Sequence, residues 1–245
     1  MKLTSSRLCA TIPLFLFALL WTTVVIGQTQ KPWTEWSAKE AQQMLSSSPW
    51  AQTQVDTNLA EMFYSPTTAS ARGNNSASRT VEGATNQEVK LFYYIRFFSA
   101  RPVRKALARL YEIKEKPDKE TTAGLHNFAE LQSSNLTIVA VAFECSDGRF
   151  SGKVMQAFQS AVTSTLKNKT YLERSDGKRL FLEEYVPPGP DGFGARFIFP
   201  RVVDGKEFIT PDVNEIRFLT EVDANVKLNM RFKTASMMLD GKMEY

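Results

Sequence analysis

The spacing of apolar residues changes once along this chain, near Leu166, and that change constrains the fold more than any other feature. Before it, runs that are apolar throughout alternate with segments whose apolar residues recur every three or four positions, as in helices packed on a sheet. After it the spacing is two, with turn residues at short intervals, which is typical of antiparallel hairpins. The pattern predicts an α+β fold with an N-terminal mixed strand and helix region, followed by an antiparallel β-rich C-terminal half.

The mixed region covers residues 28–166. Two segments, 91–98 and 136–143, are apolar on both faces, which predicts interior strands. Ser99 can cap a helix that follows the first of them, and a second helix should begin near Thr121. A third helix is predicted from an apolar stripe made by Val154, Phe158, Ala161, Val162 and Leu166.

The start of the mature chain has its own local signals. Ser37 and Glu40 form a capping-box pattern for a short helix that ends before Pro49, and residues 50–63 have an extended pattern. Residues 65–86 are rich in Ser, Thr, Ala, Asn and Gly, which indicates a flexible surface loop.

The β-rich region covers residues 167–245. Alternation predicts one hairpin that pairs 216–222 with 226–232, and another that pairs 171–174 with 179–186. Whether this region is a separate domain or continues the first one is left open by the sequence. Asp-Gly pairs favour hairpin turns over calcium loops, because further Asp or Asn ligands are missing at the required spacing; the pairs begin at Asp147, Asp176, Asp191, Asp204 and Asp240.

Residues 1–27 have the composition of a cleavable secretory signal peptide. Lys2 and Arg7 precede an apolar run, and the small residues Val25 and Gly27 suit a signal peptidase, so the mature chain is predicted to begin at Gln28. The apolar segment 12–26 covers about 15 residues, fewer than the roughly 20 of a membrane span. We therefore expect export to the periplasm or cell exterior, with an uncleaved anchor as the alternative.

Export leaves few reactive side chains. Cys9 is lost with the signal peptide, so Cys145 is the single thiol of the mature chain and no internal disulfide can form. The whole-chain charge of +4 falls to about +2 without Lys2 and Arg7, which is too little to indicate nucleic acid binding. His126 is the single histidine, so a zinc site of His and Cys ligands is excluded and no metal or cofactor is predicted.

The residues that could carry out catalysis give weak support for an enzyme. His126 is expected to be a surface histidine and Cys145 a packed residue. Glu183, Glu184 and Asp191 are candidates for a carboxylate-dependent hydrolase, but adjacent Glu183 and Glu184 point to opposite faces of a strand and cannot form a pair. The three early tryptophans, Trp33, Trp36 and Trp50, are expected to pack on the core, with stacking on sugars as the alternative.

One segment suggests an anion site. Pro102 suits the first turn of a helix, so Arg101, Arg104 and Lys105 crowd a helix N-terminus, where the helix dipole disfavours cations. An anion should compensate. It is either a carboxylate of the same protein or an external phosphate, sulfate or acidic polymer of the envelope.

Short clusters spread over most of the mature chain carry a family resemblance. They are Pro32-Trp33 with Trp36, Ser48-Pro49-Trp50-Ala51, Tyr94-Ile95-Arg96 with Ser99-Ala100, Pro102-Val103-Arg104 with Ala106-Leu107 and Arg109, Phe199-Pro200-Arg201, and Gly241-Lys242. Together they resemble a family of uncharacterised exported bacterial proteins. The resemblance implies a bacterial exported context and no particular activity.

The sequence favours a non-catalytic interaction or structural module of the periplasm or cell exterior. Its expected partner is an anionic envelope component or another exported protein. Two alternatives stay open. One is a carboxylate-dependent hydrolase acting on an envelope or extracellular polymer, and the other is a carrier of small apolar ligands, suggested by the 17 phenylalanines.

Overall fold

A capping box starts the first helix, as the sequence predicts: the Ser37 hydroxyl accepts from the Glu40 amide and the Glu40 carboxylate accepts from the Ser37 amide. The structure is a computed structural model, and it describes residues 31–57, 89–131 and 135–245. Its helices are α1 (Ala38–Ser46), α2 (Arg101–Glu115), α3 (Lys119–Glu130), α4 (Gly148–Ser160) and α5 (Thr163–Leu166). The predicted signal peptide 1–27 and surface loop 65–86 lie outside the described residues.

The described strands are antiparallel throughout, and they confirm the predicted α+β fold with a β-rich C-terminal half. They are β1 (Ala51–Asp56), β2 (Leu91–Phe97), β3 (Leu136–Cys145), β4 (Thr170–Arg174), β5 (Arg179–Phe181), β6 (Glu184–Val186), β7 (Ala195–Pro200), β8 (Val202–Val203), β9 (Lys206–Glu207), β10 (Glu215–Glu221), β11 (Lys227–Lys233), β12 (Met238–Leu239) and β13 (Lys242–Met243).

Two sheets pack face to face and enclose the core. The first sheet has the strand order β1-β2-β3-β7-β6, and the second has the order β11-β10-β4-β5. Rings from the two sheets meet between them, with centroid distances of 4.9 Å for Phe97 and Phe232 and 5.2 Å for Phe197 and Phe218. The first sheet takes β6 and β7 from beyond Leu166, and Pro32–Tyr245 form one compact unit.

The two sheets are joined along both sides of this sandwich. On one side the chain leaves the second sheet after β5 and enters the first: the Leu182 amide donates to Thr170 of β4, whereas the Glu183 amide donates to Ile198 of β7. On the other side the Gln54 side chain of β1 donates to the Lys227 carbonyl at 2.9 Å and accepts from the Asn229 amide at 2.9 Å. The side-chain amide therefore replaces a backbone pairing between β1 and β11.

Several predicted elements are confirmed and others are corrected. β2 and β3 are interior strands, and β10 pairs with β11 as predicted. The hairpin predicted for 171–174 with 179–186 is wrong beyond Phe181, because Glu184–Val186 belong to the first sheet. The apolar spacing explains this break, since the inward residues Leu180, Leu182 and Tyr185 are separated first by two and then by three positions.

The predicted third helix is also interrupted, between α4 and α5. The Tyr185 hydroxyl donates to the Phe158 carbonyl at 2.7 Å, and in a continuous helix that carbonyl would accept from the Val162 amide. The Val162 amide instead lies 3.4 Å from the Thr165 hydroxyl, at the start of α5. A tertiary hydrogen bond therefore coincides with the end of the helix.

The Asp-Gly pairs have two roles. Asp204-Gly205 and Asp240-Gly241 have positive φ at both residues and close the β8–β9 and β12–β13 hairpins, and Asp176-Gly177 lies in the turn between β4 and β5. The turn prediction is wrong for Asp147, whose carboxylate caps α4 by accepting from the Arg149 amide, whereas Asp191 lies in a turn of the longer loop that joins the paired strands β6 and β7.

Arginine side chains attach the ends of elements to one another through backbone carbonyls. Arg96 donates to Leu45 at 2.7 Å, Arg109 to Trp36 at 2.7 Å and Arg201 to Tyr245 at 2.8 Å. Arg96 is 9% exposed, and burial lowers its pKa to about 10. These contacts give a structural role to several residues of the clusters that carry the family resemblance.

Candidate functional site

The three cations at the start of α2 have internal partners. Arg101 binds the buried carboxylate of Glu244 at 3.1 Å, and Lys105 lies 3.0 Å from Glu130. Arg104 is 6% exposed and donates to the carbonyls of Ser99, Phe128 and Leu131. Carboxylates and carbonyls of the same chain therefore compensate the positive charges at this helix N-terminus. Binding of an external anion here stays a prediction.

The geometry of Arg104 explains why a cation tolerates this position. Phe128 and Leu131 belong to the last turn and C-cap of α3, whose free carbonyls carry partial negative charge. The guanidinium therefore sits at the N-terminus of one helix and at the C-terminus of another. Ser99 was expected to cap α2, but that prediction is wrong: Ala100 is the N-cap, and the Ser99 hydroxyl accepts from the Ile138 amide.

His126 packs against one of the early tryptophans, Trp33, at the surface. The His126 side chain is 43% exposed, as expected for a surface histidine, and its Nε2 lies 2.8 Å from Glu112. Trp33 packs edge-on against the His126 ring at 4.9 Å and donates to Glu130. Trp50 is buried and Trp36 packs against the core, which confirms the packing prediction for these two residues.

The candidate acids are not brought together in a cleft. Glu183 and Glu184 are exposed, and Asp191 is paired with Arg196 at 2.8 Å. In the described part of the chain, no three His, Cys, Asp or Glu side chains form a cluster that could hold a metal ion.

A surface cavity lies between β3, α4 and the loop 187–194, and we call it the β3–α4 groove. Its volume is about 570 Å³. The lining consists of the end of β3 (141–145), one side of α4 (Ser151, Gly152 and Met155) and four loop residues (Pro188, Gly189, Gly192 and Gly194). Ligand pockets for small molecules have volumes of about 300–1,000 Å³, so the groove has a suitable size.

Gly194 allows the loop to lie directly against β3. Its φ is +86°, and a Cβ added to it would be 2.2 Å from the carbonyl oxygen of Val141. A side chain at this position is therefore excluded by both conformation and space. The loop is held further along by the Asp191–Arg196 ion pair and by Phe193, whose ring lies 5.0 Å from Phe98 and 6.0 Å from Phe128.

The side of the groove formed by β3 is supported by aromatic packing. Phe143 stacks on Phe158 of α4 with centroids 5.8 Å apart and an interplanar angle of 10°. Phe158 also contacts Tyr93 edge-on, and its carbonyl accepts from Tyr185. Rings from three strands thus fix α4 relative to β3, so the shape of the groove is set by the core.

Polar groups are few in this lining. Cys145 contributes a free thiol and Ser151 a hydroxyl, and Glu144 is the acidic residue of the lining. The Tyr94 hydroxyl donates to Glu144 at 3.0 Å, and the pKa of Tyr94 is raised by burial and by this hydrogen bond. His126 is not among the lining residues, so the groove places no histidine beside the thiol or the hydroxyl.

Sequence reasoning assigned the residues of the groove to other roles. Cys145 was expected to be only a packed residue, and the segment from Pro187 to Gly194 was considered only for Asp191. Its three glycines beside three prolines were the available signal, because such a segment forms a defined loop rather than a strand. The approach of that loop to β3 is a tertiary contact without a local pattern.

Comparison with known proteins provides no assignment: no protein-family model, curated protein or solved structure matches this chain. The resemblance to exported bacterial proteins therefore stays a prediction. Among the helices of the described residues, none has the length and apolar character needed to cross a membrane.

Proposed function

We propose that this chain is an exported, non-catalytic binding protein that holds a small, mainly apolar ligand in the β3–α4 groove. The observation that carries the proposal is the groove itself: a preformed cavity of about 570 Å³, lined mainly by apolar side chains and glycines, with a few polar groups. Such a lining favours an apolar ligand body, with the Cys145 thiol and the Ser151 hydroxyl available to orient one polar group.

The hydrolase alternative has less support from this site. Glycoside hydrolysis usually needs two carboxyl groups on either side of the scissile bond. The groove lining contains one carboxylate, Glu144, and the hydroxyl of Tyr94 already donates to it. A binding role needs no second acid.

A fluorescent probe tests the proposal. Wild-type protein should bind N-phenyl-1-naphthylamine, an uncharged apolar dye, with increased fluorescence. Gly152 lines the groove from α4, and a Cβ added to it meets no atom within 4 Å, so Gly152→Phe should place a ring in the cavity without a clash at Cβ. We expect this variant to lower dye affinity by at least about tenfold.

Gly124 provides the matched control. It is also an exposed helical glycine with no atom within 4 Å of an added Cβ, but it lies on α3 and does not line the groove. Gly124→Phe should leave dye affinity nearly unchanged. In wild-type protein the bound dye should also slow alkylation of the Cys145 thiol by iodoacetamide. No dye binding by wild type, or equal affinity in both variants, would overturn the proposal.

The proposed location outside the cytoplasm rests on residues 1–27 and has its own test. If the signal peptide is cleaved after Gly27, the exported protein should begin at Gln28. Intact-mass measurement of protein released from the expressing bacterium should give the mass of residues 28–245. A membrane-bound product that retains residues 1–27 would contradict this prediction.

A further inference from the structure

A second surface, on the opposite side of the second sheet from the core, combines aromatic rings with cations. Strand alternation directs Leu172, Phe218 and Leu228 inward, so their neighbours in sequence face outward. The strand register arranges the outward side chains in two parallel rows. One contains Phe181, Tyr171, Leu219 and Asn229, and the other contains Arg179, Glu173, Arg217 and Arg231. We call these eight residues the outer face.

The first row provides an exposed aromatic platform. The rings of Tyr171 and Phe181 lie 5.6 Å apart, and Phe181 is 45% exposed. A phenylalanine on a strand face normally packs against a covering element. Aromatic rings left on a surface beside polar groups are suited to stacking with a partner that has both apolar and polar faces.

The second row holds its charges in fixed positions. Arg179 lies 4.5 Å above the Tyr171 ring and donates to Glu173 at 2.6 Å. Arg217 lies 3.6 Å from the other oxygen of Glu173 and donates to Asn229 at 2.7 Å. One carboxylate therefore orients two guanidinium groups beside the aromatic row.

Two depressions share Arg179 as a lining residue, and the first of them opens on the outer face. One, of about 490 Å³, lies over the aromatic row and includes Tyr171 and Asn229; the other, of about 740 Å³, extends toward the β8–β9 hairpin. Cations outnumber acids six to four in the combined lining, and the cations are Lys169, Arg174, Lys178, Arg179, Lys206 and Lys227. We call this combined depression the Arg179 trough.

We propose that the Arg179 trough binds an acidic polysaccharide. Sugar rings present apolar C–H faces that can pack against the Tyr171 ring, while their hydroxyls can bond the side-chain amides of Asn168 and Asn229. Carboxylates on the polymer match the excess of cations and form charge-assisted hydrogen bonds with guanidinium groups. The volumes of the two depressions, about 490 and 740 Å³, exceed what a single small anion would fill, which favours a polymer.

Charge spacing favours a polysaccharide over a nucleic acid. Each strand of DNA carries one negative charge per about 3.4 Å, so a nucleic acid site needs a dense array of cations. Here acids alternate with the cations: Glu173 lies on the outer face, and Glu221 lines the trough beside Lys227 at 3.6 Å. A polymer with one charge per sugar or fewer meets less repulsion from these acids.

Polygalacturonate is the probe for this proposal, with binding measured by isothermal titration calorimetry at low ionic strength. Wild-type protein should bind it, and added salt should weaken the binding. The double variant Arg179→Ala/Lys227→Ala should lower affinity by at least about tenfold, and Tyr171→Ala should lower it through lost stacking. Arg231→Ala is the matched control, since Arg231 is a cation of the same face that does not line the trough.

Four results would overturn the proposal. They are no polygalacturonate binding by wild type, equal loss of affinity in the control variant, equally strong binding of uncharged dextran, and tighter binding of single-stranded oligodeoxythymidylate. Polygalacturonate should not displace N-phenyl-1-naphthylamine, because the trough shares no lining residue with the β3–α4 groove. Failure at one surface is therefore distinguishable from failure at the other.

Discussion

Gly194→Ala is expected to destabilise the protein by about 3 kcal/mol or more, because the new Cβ would overlap the backbone of β3. The added carbon would lie 2.2 Å from the Val141 oxygen and 2.9 Å from the Ala142 nitrogen. Both are main-chain atoms of an interior strand, so neither can move without disturbing the first sheet. Urea unfolding followed by tryptophan fluorescence measures the loss.

A substitution at Gly192 separates the cost of the backbone conformation from the cost of the close contact with β3. It lies in the same loop with φ +73°, but an added Cβ meets no atom within 4 Å. Gly192→Ala should therefore cost only the conformational penalty, about 1–2 kcal/mol. Dye affinity should fall in Gly194→Ala, because the displaced loop forms one side of the groove. Equal stability of the two variants would show that the close approach to Val141 is unimportant.

Arg104→Met is the second substitution with a large expected effect. The methionine has a similar length but no donor, so one buried and two part-buried hydrogen bonds to carbonyls are lost. An unsatisfied buried polar group costs about 1–3 kcal/mol, and the sum should be about 3 kcal/mol or more. Burial lowers the pKa of Arg104, which shows the opposing desolvation cost of keeping the charge there. The same urea experiment measures the change in the free energy of unfolding.

Two further variants show whether the stability contributed by Arg104 comes from the geometry of its hydrogen bonds or from its charge. Arg104→Lys keeps the charge but lacks the planar fork that reaches Ser99, Phe128 and Leu131 together, so it should recover only part of the stability. Arg149→Ala removes an arginine that is 83% exposed and paired with Asp147, and it should change stability far less than Arg104→Met does. A small effect of Arg104→Met, similar to that of Arg149→Ala, would contradict the structural role.

The fold could be predicted where local pattern and tertiary contacts agree. β2 and β3 are apolar on both faces, α1 has its capping box, and β10 and β11 alternate without interruption. The errors occur where distant residues alter the backbone. Tyr185 takes the carbonyl that would continue α4, and Leu182 directs the chain from one sheet to the other.

The functional surfaces were harder to predict because they depend on which residues the fold brings together. The crowding of Arg101, Arg104 and Lys105 was a valid electrostatic signal, but their partners Glu244, Leu131 and Glu130 are separated from them by 25 to 143 positions. Arg179 and Tyr171 showed no unusual local pattern. Their importance appears only when the register places them beside Glu173 and Phe181.

The sandwich differs in strength along its two sides. At residues 182–183 a continuous chain joins the sheets, and separating them there requires breaking the backbone pairings on both sides of that crossing. At the opposite side, the side chain of Gln54 carries the described hydrogen bonds between β1 and β11. A single rotamer change of that glutamine would release them. The two sheets are therefore joined by the backbone at Leu182 and by the hydrogen bonds of one side chain at Gln54. The interior should open first along the side where β1 and β11 meet.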